Sequence, residues 1–222
     1  MFLTTVEADA IDAQVARVES RTGVQIVTAV VGKSDTYVEL PWKAFTLGAS
    51  LAAFGVVAAD TWRPEWVTAS TALLHVVTIL GVAGTCALLA VFVPAFGRLF
   101  LRATRRDLEV RHYAQSLFLT RELFSTRQRT SVLVLVSLFE RRVEILPDTG
   151  LRDRVSEADW RAVVSRMTPL LRDARPFHAL QEGLGVIETL LVAKGLRPAG
   201  AAAAGDPGSN DLPDRPIEEA GA

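Results

Sequence analysis

Hydrophobic and polar positions near the start of the chain follow first a helical and then a strand-like spacing. Thr4 and Glu7 have the spacing of a capping box, in which each side chain covers a free backbone N–H at the start of a helix. Apolar residues then recur at helical intervals, and Gly23 is placed to end the helix in a left-handed conformation. The β-branched run 24–31 has the length of a strand. The pattern therefore predicts one helix followed by one strand.

Two long uncharged runs come next. The first, 44–59, would form about 24 Å of helix, and Trp42 at an interface can extend it towards the bilayer core of about 30 Å. The second, 67–97, would form about 46 Å, which is more than one crossing needs. We therefore place its span near 72–93, with Pro94 as a kink or an end. The pattern predicts a transmembrane hairpin of two helices.

The charges that flank the hairpin predict its orientation. The connecting loop has a single basic residue, Arg63, whereas the opposite ends carry Lys43 and an arginine cluster. This arginine cluster consists of Arg98, Arg102, Arg105 and Arg106. By the positive-inside rule both termini are cytoplasmic and the protein is a two-pass membrane protein. The alternative, a hairpin buried in a soluble core, is disfavoured because the rest of the chain is too small to cover it.

The pattern after the hairpin is that of a small α/β domain. A helix is expected over about 104–125, a strand buried on both faces over 131–138, and a half-exposed strand over 142–146. Ser156 begins a second capping signature before another helix, and Pro176 begins the last one. A crossover between the first two strands favours parallel pairing, and the short link between the last two requires antiparallel pairing.

These elements together predict an α/β fold, a three-layer α/β/α sandwich with a small mixed sheet that a transmembrane hairpin interrupts. The predicted divisions are 1–40 for the first part of the domain, 41–97 for the hairpin and 98–196 for the second part. The segment 197–222 is rich in Ala, Gly, Pro and acids and is predicted to be disordered.

Composition agrees with a membrane protein and excludes several functions. Half of the 222 residues are hydrophobic, mean hydropathy is +0.26 and net charge is −1, so no basic field favours nucleic acid as a partner. Cys86 is the only cysteine, which excludes an intrachain disulfide and a cysteine-based zinc site. There is no glycine-rich phosphate loop or dinucleotide fingerprint.

Three acids provide the candidate chemistry. Asp148, Asp153 and Glu157 lie within ten residues on the loop before the second capped helix, and loop carboxylates are ligands for a divalent cation such as calcium. Alternatively, Asp148 starts a turn, Asp153 pairs with an arginine and Glu157 interacts with the helix dipole.

The arginines and His75 leave further alternatives open. The four arginines near the central strand either hold a phosphate, form a solvated rim or contact anionic lipid headgroups. They are Arg127, Arg129, Arg141 and Arg142. His75 is an ionisable residue within the second apolar run, and we expect no partner acid or base for it. It is either functional or a neutral histidine that is tolerated near a helix end. Ser50, Ser70 and the glycines of the two runs are expected to make helix–helix contacts.

Several short motifs carry a resemblance to a known family. The segments 21–26 and 126–133 lead into the first two predicted strands, Gly150-Leu151 follows the edge strand, and Trp160 lies in the next helix. In this order and spacing they resemble the TPM domain family. The resemblance covers about 4–31 and 105–194, so the hairpin lies between the first and second strands.

The resemblance implies a small α/β/α domain that is often attached to a membrane. Some members are described as phosphatases, and some bind calcium through clustered acids. In this chain Gln25 replaces a usual acid, and Arg152 and Asp153 depart from the family's Gly-Leu-Glu-Gly pattern, whereas Glu157 matches its final acid. We therefore expect a cytoplasmic-face binding or assembly module with a membrane-protein partner or self-association, its dependence on a cation left open. The alternative is a metal-dependent phosphatase.

Overall fold

Helices and strands follow one another in the predicted order, with one additional strand. The computed structural model describes residues 2–62, 68–126, 128–198 and 215–221. The elements are α1 (Thr5–Thr22), β1 (Gln25–Lys33), α2 (Glu39–Trp62), α3 (Ala69–Phe92), α4 (Pro94–Gly97), α5 (Ala103–Thr120), β2 (Ser131–Ser137), β3 (Arg142–Pro147), α6 (Glu157–Arg172), α7 (Pro176–Ala193) and β4 (Ile217–Gly221). These residues form two units, an α/β unit and a hairpin unit, Thr36–Arg105.

The predicted ends of α1 and the predicted start of α6 are confirmed, whereas α5 ends at Thr120, five residues earlier than predicted. The Thr4 hydroxyl accepts a hydrogen bond from the Glu7 N–H, and the Glu7 carboxylate accepts one from the Thr4 N–H. Gly23 ends α1 with φ of 69°, a conformation that costs glycine little. Ser156 and Asp159 form the second capping box at the start of α6. Local side-chain chemistry therefore sets where these helices begin and end.

The sheet has the strand order β3-β2-β1-β4. β1 and β2 are parallel, and β2 and β3 are antiparallel, as the sequence predicts. β3 forms one edge of the sheet and ends at Pro147. An edge strand tolerates proline because the N–H that proline lacks is not needed on the side without a neighbouring strand. β2 is buried along its whole length.

Helices cover both faces of the sheet, which confirms the α/β fold class and its three layers. One face packs against α1, α6 and α7, where Ile11, Trp160 and Leu184 belong to the larger buried cluster. The other face packs against α5 through Val110 and Ala114. Alternate residues of β1 and β2 enter the two clusters because successive side chains of a strand point to opposite faces.

The fourth strand corrects a prediction. The segment 197–222 is predicted to be disordered, but Ile217–Gly221 forms β4 and pairs in parallel with β1. The prediction is wrong for these five residues because a short segment can be ordered by an existing strand edge, which composition does not indicate. Residues 199–214 and 222 lie outside the described residues.

The hairpin unit contains two helices of 24 residues each, α2 and α3, which are long and apolar enough to cross a membrane. Val93 is extended and Pro94 starts the short α4, so the proline ends the long helix, one of the two outcomes expected for it. Of the predicted connecting loop, residues 63–66 lie outside the described residues.

Candidate functional site

Asp148, the first acid of the candidate metal site, is buried and paired. It follows β3 and is 4% exposed. Arg129 donates two hydrogen bonds to it, from Nε to Oδ2 at 2.9 Å and from Nη2 to Oδ1 at 3.1 Å. The Asp148 carboxylate also accepts a hydrogen bond from the Thr149 N–H at 2.6 Å. A guanidinium that binds both carboxylate oxygens neutralises the charge that a cation would use.

The other two acids do not join Asp148. Asp153 is exposed. Glu157 is the first residue of α6, its side chain is 91% exposed, and Arg161 lies 3.5 Å from it. Among the described residues, no three His, Cys, Asp or Glu side chains are grouped so that they could hold a metal ion. The calcium site therefore stays a prediction, and the geometry favours two of the alternative roles, a turn at Asp148 and a helix start at Glu157.

At Gly150 the backbone of the loop that carries Asp148 packs closely against the segment before β2. Its N–H donates to the Arg129 carbonyl at 2.9 Å. A Cβ at Gly150 would lie 2.5 Å from the Gln128 carbonyl oxygen and 2.7 Å from that of Arg129. Only glycine allows two backbones to approach so closely. The Gly150-Leu151 motif noted in the sequence therefore has a structural explanation in this chain.

The arginines near the central strand have different surroundings. Arg129 lies over the Phe124 ring at 5.6 Å in addition to its pairing with Asp148. Arg142 donates from Nε to the Asp107 carboxylate at 2.6 Å. Burial alone would raise the pKa of Asp107, but the hydrogen bonds and charges of Arg142 and Arg106 lower it. Arg127 lies outside the described residues. Two of the four predicted arginines therefore have carboxylate partners within the α/β unit.

A buried polar network at the carboxyl ends of β1 and β2 escapes sequence reasoning. Glu140 is 1% exposed and accepts hydrogen bonds from the Ser34 N–H, at 3.0 Å, and from the Ser137 hydroxyl. The Ser34 hydroxyl donates to the Ser137 hydroxyl at 3.0 Å. The carboxyl ends of parallel strands are where α/β proteins commonly bind ligands. These groups satisfy one another, so the network fixes the exit of β1 against the turn between β2 and β3.

Two consecutive glutamates of β4 form a second site that the sequence does not indicate. Glu218 accepts hydrogen bonds from the N–H groups of Phe2, at 2.7 Å, and Leu3, at 3.3 Å. Glu219 accepts one from the Tyr113 hydroxyl at 2.5 Å and one from Arg121 at 3.0 Å. The hydrogen bond from Tyr113 and the charge of Arg121 lower the pKa of Glu219, whereas burial and this carboxylate raise the pKa of Tyr113. Glu219 is therefore held as a carboxylate.

Within the hairpin unit, α2 and α3 approach each other at small residues. A Cβ at Gly48 would lie 2.9 Å from Sγ of Cys86 and 3.1 Å from Cα of Ala83. The predicted contact role is therefore confirmed for Gly48. At Gly55, Gly81 and Gly84 the described part of the chain shows no such contact between the two helices, because a Cβ there would meet none of its atoms within 4 Å.

The polar residues of the hairpin also differ from expectation. The Ser50 hydroxyl donates to the Thr46 carbonyl of its own helix, and the Ser70 hydroxyl is hydrogen-bonded to the Thr68 hydroxyl, two residues earlier. These hydrogen bonds are therefore local and do not join the two helices. His75 is not without an acid, since its Nε2 lies 3.6 Å from Oδ1 of Asp60 near the end of α2. The apolar run of His75 gives no sign of this pairing because Asp60 lies outside it.

Comparison with known proteins supports the resemblance over part of the chain. Residues 91–190 match the TPM domain family. The predicted similarity of 105–194 largely coincides with this match, whereas 4–31 lies outside it. The chain is also similar in fold to the BA42 protein of the psychrophilic bacterium Bizionia argentinensis, known from an NMR structure. The TM-score is 0.56 at 13% identity, over 99% of this chain and 97% of that protein. No curated protein matches the chain.

Proposed function

We propose that this protein is a membrane-tethered TPM-like domain that acts as a binding or assembly module at the cytoplasmic face. The helices α2 and α3 are its two-pass anchor, and the α/β unit binds a membrane-protein partner or a second copy. The observation that carries the proposal is the exposed apolar surface of two helices inserted into an otherwise well-packed α/β fold.

The surface of the hairpin is suited to lipid. In the most apolar stretch of each helix only 11% of the residues are buried. Large side chains such as Leu51, Phe54, Leu80 and Phe92 are between 55% and 77% exposed. Exposed apolar surface costs about 25 cal/mol per Å² in water, so soluble proteins rarely leave such long patches uncovered. A core helix of a soluble protein would be mostly buried. Lipid is the solvent that removes this cost.

The geometry of the acids supports binding better than metal-dependent catalysis. Asp148 has a guanidinium partner, and Glu157 is an exposed side chain at the start of a helix. The phosphatase alternative needs several acids around one cation, and the described residues do not provide such a group. A binding role needs only the surfaces that the fold already presents.

Membrane attachment is tested with charged substitutions at exposed positions. Leu51→Asp combined with Leu80→Asp places two carboxylates near the helix centres, where an acid costs about 2.5–3.5 kcal/mol in a bilayer. We expect the unsubstituted chain to resist carbonate extraction and the double variant to be extracted. Leu51→Ala with Leu80→Ala is the matched control. If the unsubstituted chain is extracted by carbonate or is monomeric without detergent, the anchor does not exist.

The binding role is tested by photo-crosslinking in native membranes. Asp153→Ala with Glu157→Ala removes two candidate ligands and retains the Arg129–Asp148 pair. We expect the same cross-linked species for this variant and the unsubstituted chain, with or without a chelator. Loss of these species in the variant, or cation-dependent hydrolysis of a phosphate ester that the variant lacks, would favour the metal-dependent alternative.

A further inference from the structure

β1 is built as an interior strand and needs a neighbour on each side. Residues 26–31 are all buried, and β2 pairs with one edge from Gln25 to Val31. Without β4, the other edge would present unpaired N–H and C=O groups beside apolar side chains. Such an edge is a template for pairing with another extended segment.

The backbone of β4 fits this edge at close range. Ile217 pairs with Ala29, and Gly221 pairs with Lys33, in parallel register. A Cβ at Gly32 would lie 2.7 Å from the Ala220 carbonyl oxygen. Gly221 has φ of 86°, and a Cβ there would collide with the Lys33 backbone. The edge therefore requires glycine at position 32 for the close approach and selects glycine at the end of the docked segment.

The side chains of β4 add a charge requirement. Glu218 meets the N–H groups of Phe2 and Leu3, and Glu219 meets Tyr113 and Arg121. Successive side chains of a strand point to opposite faces, so the two acids contact different elements. The edge therefore selects two consecutive acids, two residues before the final glycine. None of these four contacts is available to an uncharged apolar strand.

The contacts that hold β4 on the sheet are few and partly exposed. It has five residues, and Ile217 is only half-buried. The side chains of Arg121 and Glu219 are 49% and 36% exposed, and ion pairs with this exposure contribute about 0–1 kcal/mol. Short segments with few buried apolar contacts open at lower free energy than the core of the sheet.

We propose that the outer edge of β1 is a strand-binding site, which the chain's own Ile217–Gly221 occupies here and which an extended acidic segment of a partner takes by the same parallel pairing. The partner segment has the pattern apolar, Glu, Glu, any residue, Gly. This inference rests on the binding role proposed above and names its surface. The chain's own strand acts as a competitor, because a covalently linked segment competes at an effective concentration on the order of millimolar.

The experiment uses the full chain in detergent and a fluorescent peptide of residues 215–221. In the chain, Glu218→Lys with Glu219→Lys releases the internal strand. We expect the peptide to bind this released variant saturably, with an affinity about tenfold or more above that for the unsubstituted chain. A dimer of the released variant that the peptide dissociates would also support the site, with a second copy as occupant.

Matched peptides test the pattern. A peptide with both glutamates replaced by lysine should not bind. A peptide with lysine only at position 219 should bind the released variant when that variant also carries Arg121→Glu, because the charges of the pair are then exchanged. A peptide with Gly221→Val should not bind either variant. Equal binding of all peptides would show non-specific association and overturn the proposal, as would no saturable binding to a folded released variant.

Native-state hydrogen exchange of the unsubstituted chain tests the proposal without any substitution. The amides of β4 and of the β1 edge that faces it should exchange by a local opening, before the amides between β1 and β2. Exchange of both sets only by global unfolding would overturn the proposal. Because these measurements are made in detergent, their failure leaves membrane attachment untouched, and failure of carbonate resistance leaves peptide binding untouched.

Discussion

At the scale of single residues, the pair of Arg129 and Asp148 stabilises the loop before α6. The side chain of Asp148 is 3% exposed, so Arg129→Met leaves a buried carboxylate without its main partner. We expect this change to lower the free energy of unfolding by about 1–3 kcal/mol, measured by denaturant titration in detergent. Arg161→Met is the control, because its partner Glu157 is exposed, and it should change stability by less than about 0.5 kcal/mol.

The same variants separate a structural carboxylate from a metal ligand. If Asp148 binds calcium, loss of the competing guanidinium in Arg129→Met should increase the stabilisation that added calcium gives. If Asp148 is structural, calcium should not compensate for the lost arginine. Equal destabilisation by Arg129→Met and Arg161→Met would contradict the structural role.

Asp159 provides a pH-dependent prediction at the same scale. Hydrogen bonds from Lys194 and Ser156 lower its pKa from 3.8 to about 2. Because the pKa is lower in the folded state, this stabilisation is complete above about pH 4 and is lost as the pH falls towards 2. Asp159→Asn should therefore show a shallower loss of stability between pH 4 and pH 2 in thermal melts. Asp153→Asn should keep the slope of the unsubstituted chain, and an equally shallow slope for this control would exclude the assignment.

The residues whose roles the sequence predicts correctly are those with local partners. The capping boxes at Thr4 and Ser156 join residues three positions apart, so their spacing is visible in the sequence. The partner of Glu140, Ser34, is 106 positions away, and that of Asp148, Arg129, is 19 away. A carboxylate on a loop looks the same in the sequence whether it binds a cation or a guanidinium. For this reason the sequence identifies the acids but not their roles.

At the scale of elements, the contact between α2 and α3 depends on Gly48. The side chain in Gly48→Ile would meet Cys86 and Ala83, so the helices would have to separate. We expect a loss of about 1–3 kcal/mol in the stability of the hairpin, measured by unfolding in SDS. Gly55→Ile is the matched control on the same helix, since it faces open space, and it should have little effect. A similar loss for both variants would show that the substitutions act through the helix itself and not through packing.

Elements with a periodic pattern over many residues are predictable from the sequence, whereas β4 is not. α2 and α3 each have 24 residues, and their apolar runs are unmistakable in the sequence. β4 has five residues and alternates weakly, so nothing distinguishes it locally from the surrounding polar segment. Its order comes from an edge nearly 190 positions earlier in the chain, at Ala29. Pairing over such a distance is set by the assembled sheet.

At the scale of the whole molecule, the sequence predicts that both halves of the α/β unit are on one side of the membrane, because two crossings separate them. This agrees with the parallel pairing of β1 and β2, since two strands can pair only in one compartment. The flanking charges favour the cytoplasmic side for these two halves, because Lys43 lies near the start of α2 and the arginine cluster follows α3. The predicted side of the membrane therefore depends on the flanking charges, whereas the common location of the two halves follows from the pairing of β1 with β2.

Single cysteines test this topology in a Cys86→Ser background. Thr61→Cys lies at the end of α2 next to the connecting loop, and Ser165→Cys lies on the exposed side of α6. We expect a membrane-impermeant maleimide to label Thr61→Cys in intact cells and Ser165→Cys only after permeabilisation. When Arg102, Arg105 and Arg106 are also replaced by serine, we expect the maleimide to label a fraction of Ser165→Cys in intact cells. The reason is that these substitutions reduce the charge bias that orients the hairpin. Labelling of both positions from the same side before permeabilisation would contradict a hairpin that crosses the bilayer twice, whatever its orientation.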